Sequence, residues 1–404
     1  MLAKLGSVEQ VGEYALGLAV AAPIILFANM QLRALLASDV NDQFTFDQYL
    51  TFRLASLGAA LLSVAVVAAF TQASWRLCGV VILVGLAQAV ECIGETYYGF
   101  MQKHEKMDRV STSLMLKGPL SLGALYVAIE VSGSVVWAVV GLILGRLVIL
   151  WIWDSHYGMG ARRVPFKWNV CRSLTLLRTA LPLGLISMLG ALNSSIPRYF
   201  VEVHSGSAEL GIFSAIASLI SAGTLVVAAF GQSIFLPVAR ARAAFDRFRF
   251  RRYAALAVAL GGGLGVVAVF LSAMNGRSIL IHLFRPEYGD HSDILIRLMI
   301  AGTIGFIASG LGYVITAARS LHPQIPLLLA TAIAATAVSA WSIPRHGLRG
   351  AADATLVAGL VQLAGTVAIL VKIDRQFRMN AAGSPMIPLE SVGVKFKSVK
   401  VETT

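Results

Sequence analysis

Apolar residues in this chain come in long blocks. Eleven mostly apolar stretches of about 19 to 25 residues recur at 12–36, 50–71, 77–101, 111–130, 134–153, 174–196, 210–236, 253–273, 294–318, 324–343 and 351–372. A helix needs about 20 such residues to cross the hydrocarbon of a bilayer. Each stretch is therefore predicted to be a membrane-spanning helix, and the expected fold is all-α and polytopic. The connections between the spans are short, which leaves no room for a separate catalytic domain.

Composition agrees with that pattern. Hydrophobic residues make up 57% of the 404 and charged residues 13%, with a mean hydropathy of +0.75, whereas soluble domains carry roughly 25% charged residues. The net charge of +12 would suggest nucleic acid in a soluble protein. Here the basic residues fall between spans, where they set orientation and meet anionic lipid headgroups, so membrane lipids and not nucleic acid are the expected partners. Assigned to alternate sides of the membrane, 24 Lys and Arg fall on one side and eight on the other, with Arg146 inside a span. The positive-inside rule then predicts a cytoplasmic C-terminus, an outside N-terminus and residence in the cell inner membrane. Cys78, Cys92 and Cys171 form no CxxC and no ligand-like pairing with histidine, and read as small apolar filler.

An outside N-terminus without an export segment points to a missing first helix. Val11-Gly12-Glu13-Tyr14-Ala15-Leu16 is echoed by Leu210-Gly211-Ile212-Phe213-Ser214-Ala215, an offset of 199 residues, each a Gly-x-aromatic entry to a span. A full span at 174–196 precedes the second copy, and none precedes the first. Two parallel halves of six helices, the first lacking its first helix, account for both facts. The expected organisation is a lobe at 1–153 with five spans, a cytoplasmic linker at 154–173, a six-span lobe at 174–372 and a cytoplasmic tail at 373–404, mobile from 379.

Lys4-Leu5-Gly6-Ser7-Val8-Glu9-Gln10-Val11-Gly12-Glu13-Tyr14, the Pro23 to Gln31-Leu32-Arg33 stretch, Tyr97-Tyr98-Gly99-Phe100-Met101-Gln102 with Met107-Asp108-Arg109, and Leu283-Phe284-Arg285-Pro286-Glu287-Tyr288 resemble the lipopolysaccharide O-antigen flippases and polysaccharide exporters. These belong to the multidrug/oligosaccharidyl-lipid/polysaccharide superfamily. The resemblance runs to about Lys372 and implies two lobes around a central cavity. It also implies translocation of an undecaprenyl-diphosphate-linked oligosaccharide from the cytoplasmic to the periplasmic leaflet by alternating access, with other polysaccharide-assembly membrane proteins as further partners. The family's first helix is lacking here.

Moving a diphosphate and a hydrated glycan through hydrocarbon calls for a polar cleft with fixed positive charge, and arginine holds phosphate oxygens bidentately while staying charged. An arginine at a helix centre costs about 2.5 to 3.5 kcal/mol on insertion scales, so Arg146 needs a partner. Either the diphosphate or an acidic side chain of the same lobe would serve. Arg33 and Arg53 flank one cytoplasmic connection and suit capture, and Arg198 at the opposite end suits release; snorkelling to headgroups is the other reading of all three. In the third span Gln88, Glu91, Glu95, Tyr98 and Gln102 recur at spacings of three and four and share a helical face. Glu91 or Glu95 is expected to exchange a coupling ion, H⁺ or Na⁺, or else to pair with Arg146. No other cofactor is implied.

Asn29, Asn193, Ser194, Ser195, Gln232, Gln362 and the Ser214, Ser218, Ser221 ladder are weaker polar marks, expected to bond across helices or to their own backbone. Gly141-x-x-x-Gly145 and the glycines from 261 to 265 read as packing contacts. The loop from Arg240 to Arg252, with Phe245, Phe248 and Phe250, is expected on the headgroup surface. An integral-membrane polymerase or ligase would need clustered acid, base or metal groups, yet all seven histidines fall in predicted connections and no HExxH occurs. An ion-coupled multidrug antiporter of the same superfamily is the nearer alternative.

Overall fold

The computed structural model describes residues 2–39, 42–71, 74–159, 170–318, 320 and 323–383, and among these there is no strand. The chain runs α1 (Leu2–Leu5), α2 (Val8–Asn29), α3 (Leu32–Ser38), α4 (Phe46–Thr71), α5 (Trp75–Lys103), α6 (Met107–Ser132), α7 (Val135–Ile149), a π-helical turn (Leu150–Asp154), α8 (Ser155–Met159), α9 (Val170–Ala243), α10 (Arg247–Leu283), a 3₁₀ turn (Pro286–His291), α11 (Ser292–Ala317), α12 (Gln324–His346) and α13 (Leu348–Gly383). Ten described helices are long and apolar enough to cross a membrane. One of them, α9, has 74 residues and would extend roughly 110 Å if straight, far beyond a bilayer. Gly206, with φ 83° and ψ 175°, breaks it; only glycine adopts that backbone readily. Its two arms supply separate crossings, so each of the eleven predicted spans is helical.

Boundaries differ from the sequence reading in two places. The first predicted span does not continue to residue 36, because Met30 and Gln31 both take φ 47° and split it into α2 and α3. The segment expected to be mobile from 379 begins as helix, since α13 continues to Gly383. The middle of the predicted linker, 160–169, and the tail from 384 lie outside the described residues, as does the side chain of Cys171.

Local signals set the helix ends. Ser7 and Gln10 form a reciprocal capping box at the start of α2, and the Gln10 side chain also donates to the Gly133 carbonyl at 2.6 Å, tying α2 to the end of α6. Asp246 caps α10 by accepting from the Arg249 N–H at 2.9 Å.

Helices before residue 160 and helices after residue 170 form two bundles that meet chiefly along α2 and α9. One apolar core, including Leu16, Val20, Ile25, Leu210, Phe213, Leu280 and Leu295, crosses the junction near one end. There the repeat becomes visible in three dimensions. A methyl on Gly12 would overlap the carbonyl oxygen of Ser207, and a methyl on Gly211 would overlap that of Val8. Gly12 and Gly211, like Val8 and Ser207, are related by the same offset of 199, so the two contacts are reciprocal. Beside this seam Arg285 reaches the carbonyls of Lys4 and Leu5 at 3.4 and 3.3 Å. At the other end a second cluster, Met30, Leu32, Leu36, Phe46, Tyr49, Leu176 and Ala180, joins α2, α3 and α4 to the start of α9.

Candidate functional site

α5 forms the spine of the polar interior. Its stripe from Gln88 to Gln102 covers about 21 Å of helix, and the structure divides those side chains among α2, α3, α6 and α7. Glu91 reaches α6 and α7: Oε1 accepts from Lys117 Nζ at 3.4 Å, and Oε2 lies 3.4 Å from Arg146 Nε. Arg146 Nη1 donates to the Ala87 carbonyl at 2.6 Å. Of the two partners open to Arg146, the one present is therefore a carboxylate of its own bundle.

Tyr98 is buried and stands between two cations, with Lys117 Nζ 4.7 Å and the Arg33 guanidinium 5.5 Å from the ring centroid. Its hydroxyl meets Ser113 Oγ at 2.8 Å, and Ser113 donates to Asp154 Oδ1 at 2.5 Å. Asp154 Oδ2 lies 3.8 Å from Lys117 Nζ, closing the circuit. Asp154 sits at the end of the π-helical turn, a local widening that aims its carboxylate inward; such turns recur at functional sites.

On the other side of α5, Glu95 Oε2 accepts from Asn29 Nδ2 at 2.9 Å. Asn29 in turn receives Arg53 Nη1 on its carbonyl (2.9 Å) and its side-chain oxygen (2.7 Å), while Arg53 Nε donates to Thr96 Oγ1 at 3.1 Å. Arg53 is fully buried. It is not at a headgroup-facing span edge, as its sequence position suggested, because the turn at Met30 folds the end of α2 over it. Its Nη2 has no partner. Together Arg53, Lys117 and Arg146 gather about Glu91, Glu95 and Asp154, three cations and three carboxylates, of which Arg53, Lys117 and Asp154 are buried and the others half-buried. A buried pair of this kind is costly to leave half-made, at about 3 to 5 kcal/mol.

Arg33 and Arg198 differ from these. Arg33 is half-buried and donates to Gln102 Oε1 at 3.4 Å. Arg198 lies in α9 before the Gly206 break, and its Nε has no partner. Neither has a carboxylate within 4 Å among the described residues. Gln88 Nε2 is also buried without a partner.

Three members of the network stood out poorly in the sequence. Lys117 counts there among charges of a cytoplasmic connection; it is in fact buried inside α6, and the available signal was its place six residues into a predicted span. Asp154 falls in the predicted linker but closes the fifth span. Asn29, one of the weak polar marks, is the hub that links Glu95 to Arg53. Of the other marks, Ser194 and Ser218 donate to their own helix, Ser214 Oγ is buried without a partner, and Asn193 donates across to the Leu328 carbonyl at 3.4 Å.

At the end of the bundle near α3, Lys103 donates to Asp42 at 2.6 Å; that hydrogen bond keeps the Asp42 carboxyl below the usual carboxylate range. Among the described residues no group of three His, Cys, Asp or Glu could hold a metal ion.

The chain is 28% identical over 371 residues to the capsular polysaccharide biosynthesis protein CapF of Staphylococcus aureus, covering 90% of this chain and 91% of that protein. It superposes on an inward-facing multidrug resistance transporter of the MATE family and MOP superfamily with a TM-score of 0.69 at 12% identity, covering 94% of this chain and 97% of that one. It superposes likewise on the lipid II flippase MurJ in an inward closed conformation, with a TM-score of 0.70 at 11% identity, covering 94% and 86%. No family model matches the chain. The class is thus a multi-pass, all-α membrane protein. More particularly, its fold is that of the MOP-superfamily transporters.

Proposed function

We propose that this protein flips an undecaprenyl-diphosphate-linked oligosaccharide across the cytoplasmic membrane for assembly of a surface polysaccharide of the O-antigen, exopolysaccharide or capsule class. The observation that carries the reading is the pair Arg33 and Arg198, arginines near opposite ends of the seam between the bundles, neither neutralised by a carboxylate. A guanidinium of that kind is ready to take phosphate oxygens. Arg33 captures the diphosphate at the inner end and Arg198 receives it at the outer end. Arg53 and Arg146 hold the first bundle together in the present state and become phosphate ligands only when their present partners are exchanged. The resemblance to a polysaccharide biosynthesis protein over nine-tenths of the chain supports the same substrate class.

In this reading the bundles are the two lobes of an alternating-access transporter, with the C-terminus cytoplasmic. The reciprocal Gly12 and Gly211 contacts close its outer end. Coupling falls to Glu95 in preference to Glu91: Glu91 answers two cations, so neutralising it would leave Arg146 without a carboxylate and Lys117 with Asp154 alone, whereas Glu95 has no cation within 4 Å among the described residues and is the carboxylate open to exchange of H⁺ or Na⁺. Glu95→Gln is expected to abolish the ion dependence of transport. Transport that kept that dependence would remove Glu95 from the coupling role.

A second reading, an ion-coupled multidrug antiporter, is favoured by the likeness to the MATE transporter and by the carboxylates on α5. Deleting the gene in its native cell separates the two. The flippase reading expects loss of surface polysaccharide with unchanged drug sensitivity; sensitisation to cationic drugs with intact polysaccharide would overturn it.

A further inference from the structure

Where the connection between α3 and α4 meets the first turns of α9, a pocket of about 200 Å³ opens, lined by Asp39, Gln43, Phe44, Tyr49, Leu176 and Thr179 among others. We infer that this pocket is a sugar subsite that holds one pyranose ring of the substrate's glycan at the loading end; the inference rests on the flippase reading above. Its lining mixes polar side chains (Ser38, Asp39, Gln43, Thr179) with apolar ones (Leu35, Phe44, Leu176), as a sugar ring mixes hydroxyls with C–H faces. Among the described residues no Lys or Arg lines it, so it suits a neutral polyhydroxyl group and not a phosphate.

The Asp39 carboxylate is fixed in advance. Oδ1 accepts from the Gln43 N–H at 3.0 Å, and Oδ2 accepts from the Phe44 N–H at 3.2 Å and the Tyr49 hydroxyl at 3.5 Å. Each carboxylate oxygen offers about two lone pairs, so Oδ1 retains one for a sugar hydroxyl, and a hydrogen bond to a charged acceptor is the stronger kind. Beside it, Phe44 packs edge to face on the buried Tyr49 at 5.8 Å, and the half-buried Phe44 and Leu35 side chains offer an apolar surface on which the C–H face of a ring rests. Thr179 donates its hydroxyl proton to the Thr175 carbonyl at 3.0 Å, which leaves its oxygen as an acceptor toward the pocket.

The position fits the path of the substrate. Asp39 follows α3, the short helix whose second residue is Arg33, about 9 Å away along the helix axis. A diphosphate held by Arg33 therefore keeps its first sugars within reach of the pocket. The walls also come from both bundles, Asp39 to Tyr49 from the first and Leu176 and Thr179 from the second. A sugar seated here touches both sides of a junction that must rearrange during transport, so glycan recognition and conformational change share these contacts.

The test compares two probes on the full-length protein in nanodiscs: lipid-linked oligosaccharide extracted from the native cell, and undecaprenyl diphosphate without sugar. Asp39→Asn, which keeps an acceptor for the loop N–H groups, and Thr179→Val, which lies on the other bundle and conserves shape, are each expected to weaken binding of the glycolipid about tenfold. Binding of the sugar-free lipid should stay within about twofold, the scatter of a surface substitution. Equal weakening of both probes, or none of either, would overturn the subsite. Wild-type protein that binds the sugar-free lipid and gains nothing from the glycan would also overturn the subsite while the flippase reading stands; wild-type protein that binds neither probe would overturn both.

Discussion

The two bundles share a helix plan but not a chemistry. Among the described residues, every buried charged side chain, namely Arg53, Lys117 and Asp154, lies before residue 160. After residue 170 the buried polar side chains are hydroxyls: Ser195, Ser272, Thr331, Ser339, Ser342 and Thr366. The second bundle keeps its ion pairs at helix ends. Arg349 with Asp293 and Arg297 with Asp353 join α11 to α13 at 2.7 and 2.8 Å, and Arg247 and Arg251 both reach Asp374 at 2.8 Å. The internal repeat has thus preserved close helix contacts, such as Gly12 with Ser207 and Gly211 with Val8, while charge has been retained in one copy only. In the proposed flippase reading, the shared scaffold would serve rocking halves and the one-sided charge would serve recognition of a single charged headgroup.

The largest effect should come from unbalancing the charged bundle. Lys117→Met leaves the fully buried Asp154 without its cation and is expected to cost about 3 to 5 kcal/mol, read as a lower unfolding midpoint in detergent. Adding Asp154→Asn should restore part of it, because the stranded charge is gone. The matching change in the other bundle, Ser339→Ala, removes a buried hydroxyl that makes no hydrogen bond and is expected to be neutral or slightly stabilising. Similar costs in both would erase the contrast between the bundles.

Next comes the feature they share. Gly12→Val and Gly211→Val each place side-chain carbons on a backbone carbonyl of the opposite bundle, a strain of about 1 to 3 kcal/mol against the sealed state. In a Ser207→Cys background both should raise labelling by a membrane-impermeant maleimide to a similar degree, since their contacts are reciprocal. A response to only one of them would mean that the pseudo-two-fold seam is not a functional unit.

The smallest effect is expected near the end of α13, where Asp374→Asn removes the negative charge facing the partly exposed Arg247 and Arg251. A loss within about 1 kcal/mol that shrinks as salt rises is the expected outcome. A cost as large as that of Lys117→Met would place a buried electrostatic core in the second bundle too.

Span number and the all-helical fold were legible because bilayer thickness fixes the length of an apolar run, and the 199-residue echo was legible because the repeated Gly-x-aromatic entries keep their order. The stripe on α5 could be read from its three- and four-residue spacing. Its partners could not. Arg53 sits seven residues into α4, where sequence suggests a headgroup-facing position, and only the left-handed pair Met30 and Gln31, neither of them glycine or asparagine, turns Asn29 onto it. Lys117 reads as one more inner-side charge until Asp154, 37 residues later, is brought against it by the π-helical turn. That two glycines 199 residues apart lie on each other's helices depends on how the bundles dock, which no local pattern encodes.

The most direct test of the account is a leaflet-exchange assay in proteoliposomes containing a fluorescent undecaprenyl-diphosphate-linked oligosaccharide. Wild-type protein should bring the inner-leaflet lipid to a membrane-impermeant quencher far faster than protein-free vesicles do, and Arg33→Gln and Arg198→Gln should each slow that exchange by about tenfold, the loss of one charge-assisted contact. Exchange no faster than in empty vesicles, or exchange indifferent to both arginines, would contradict the account.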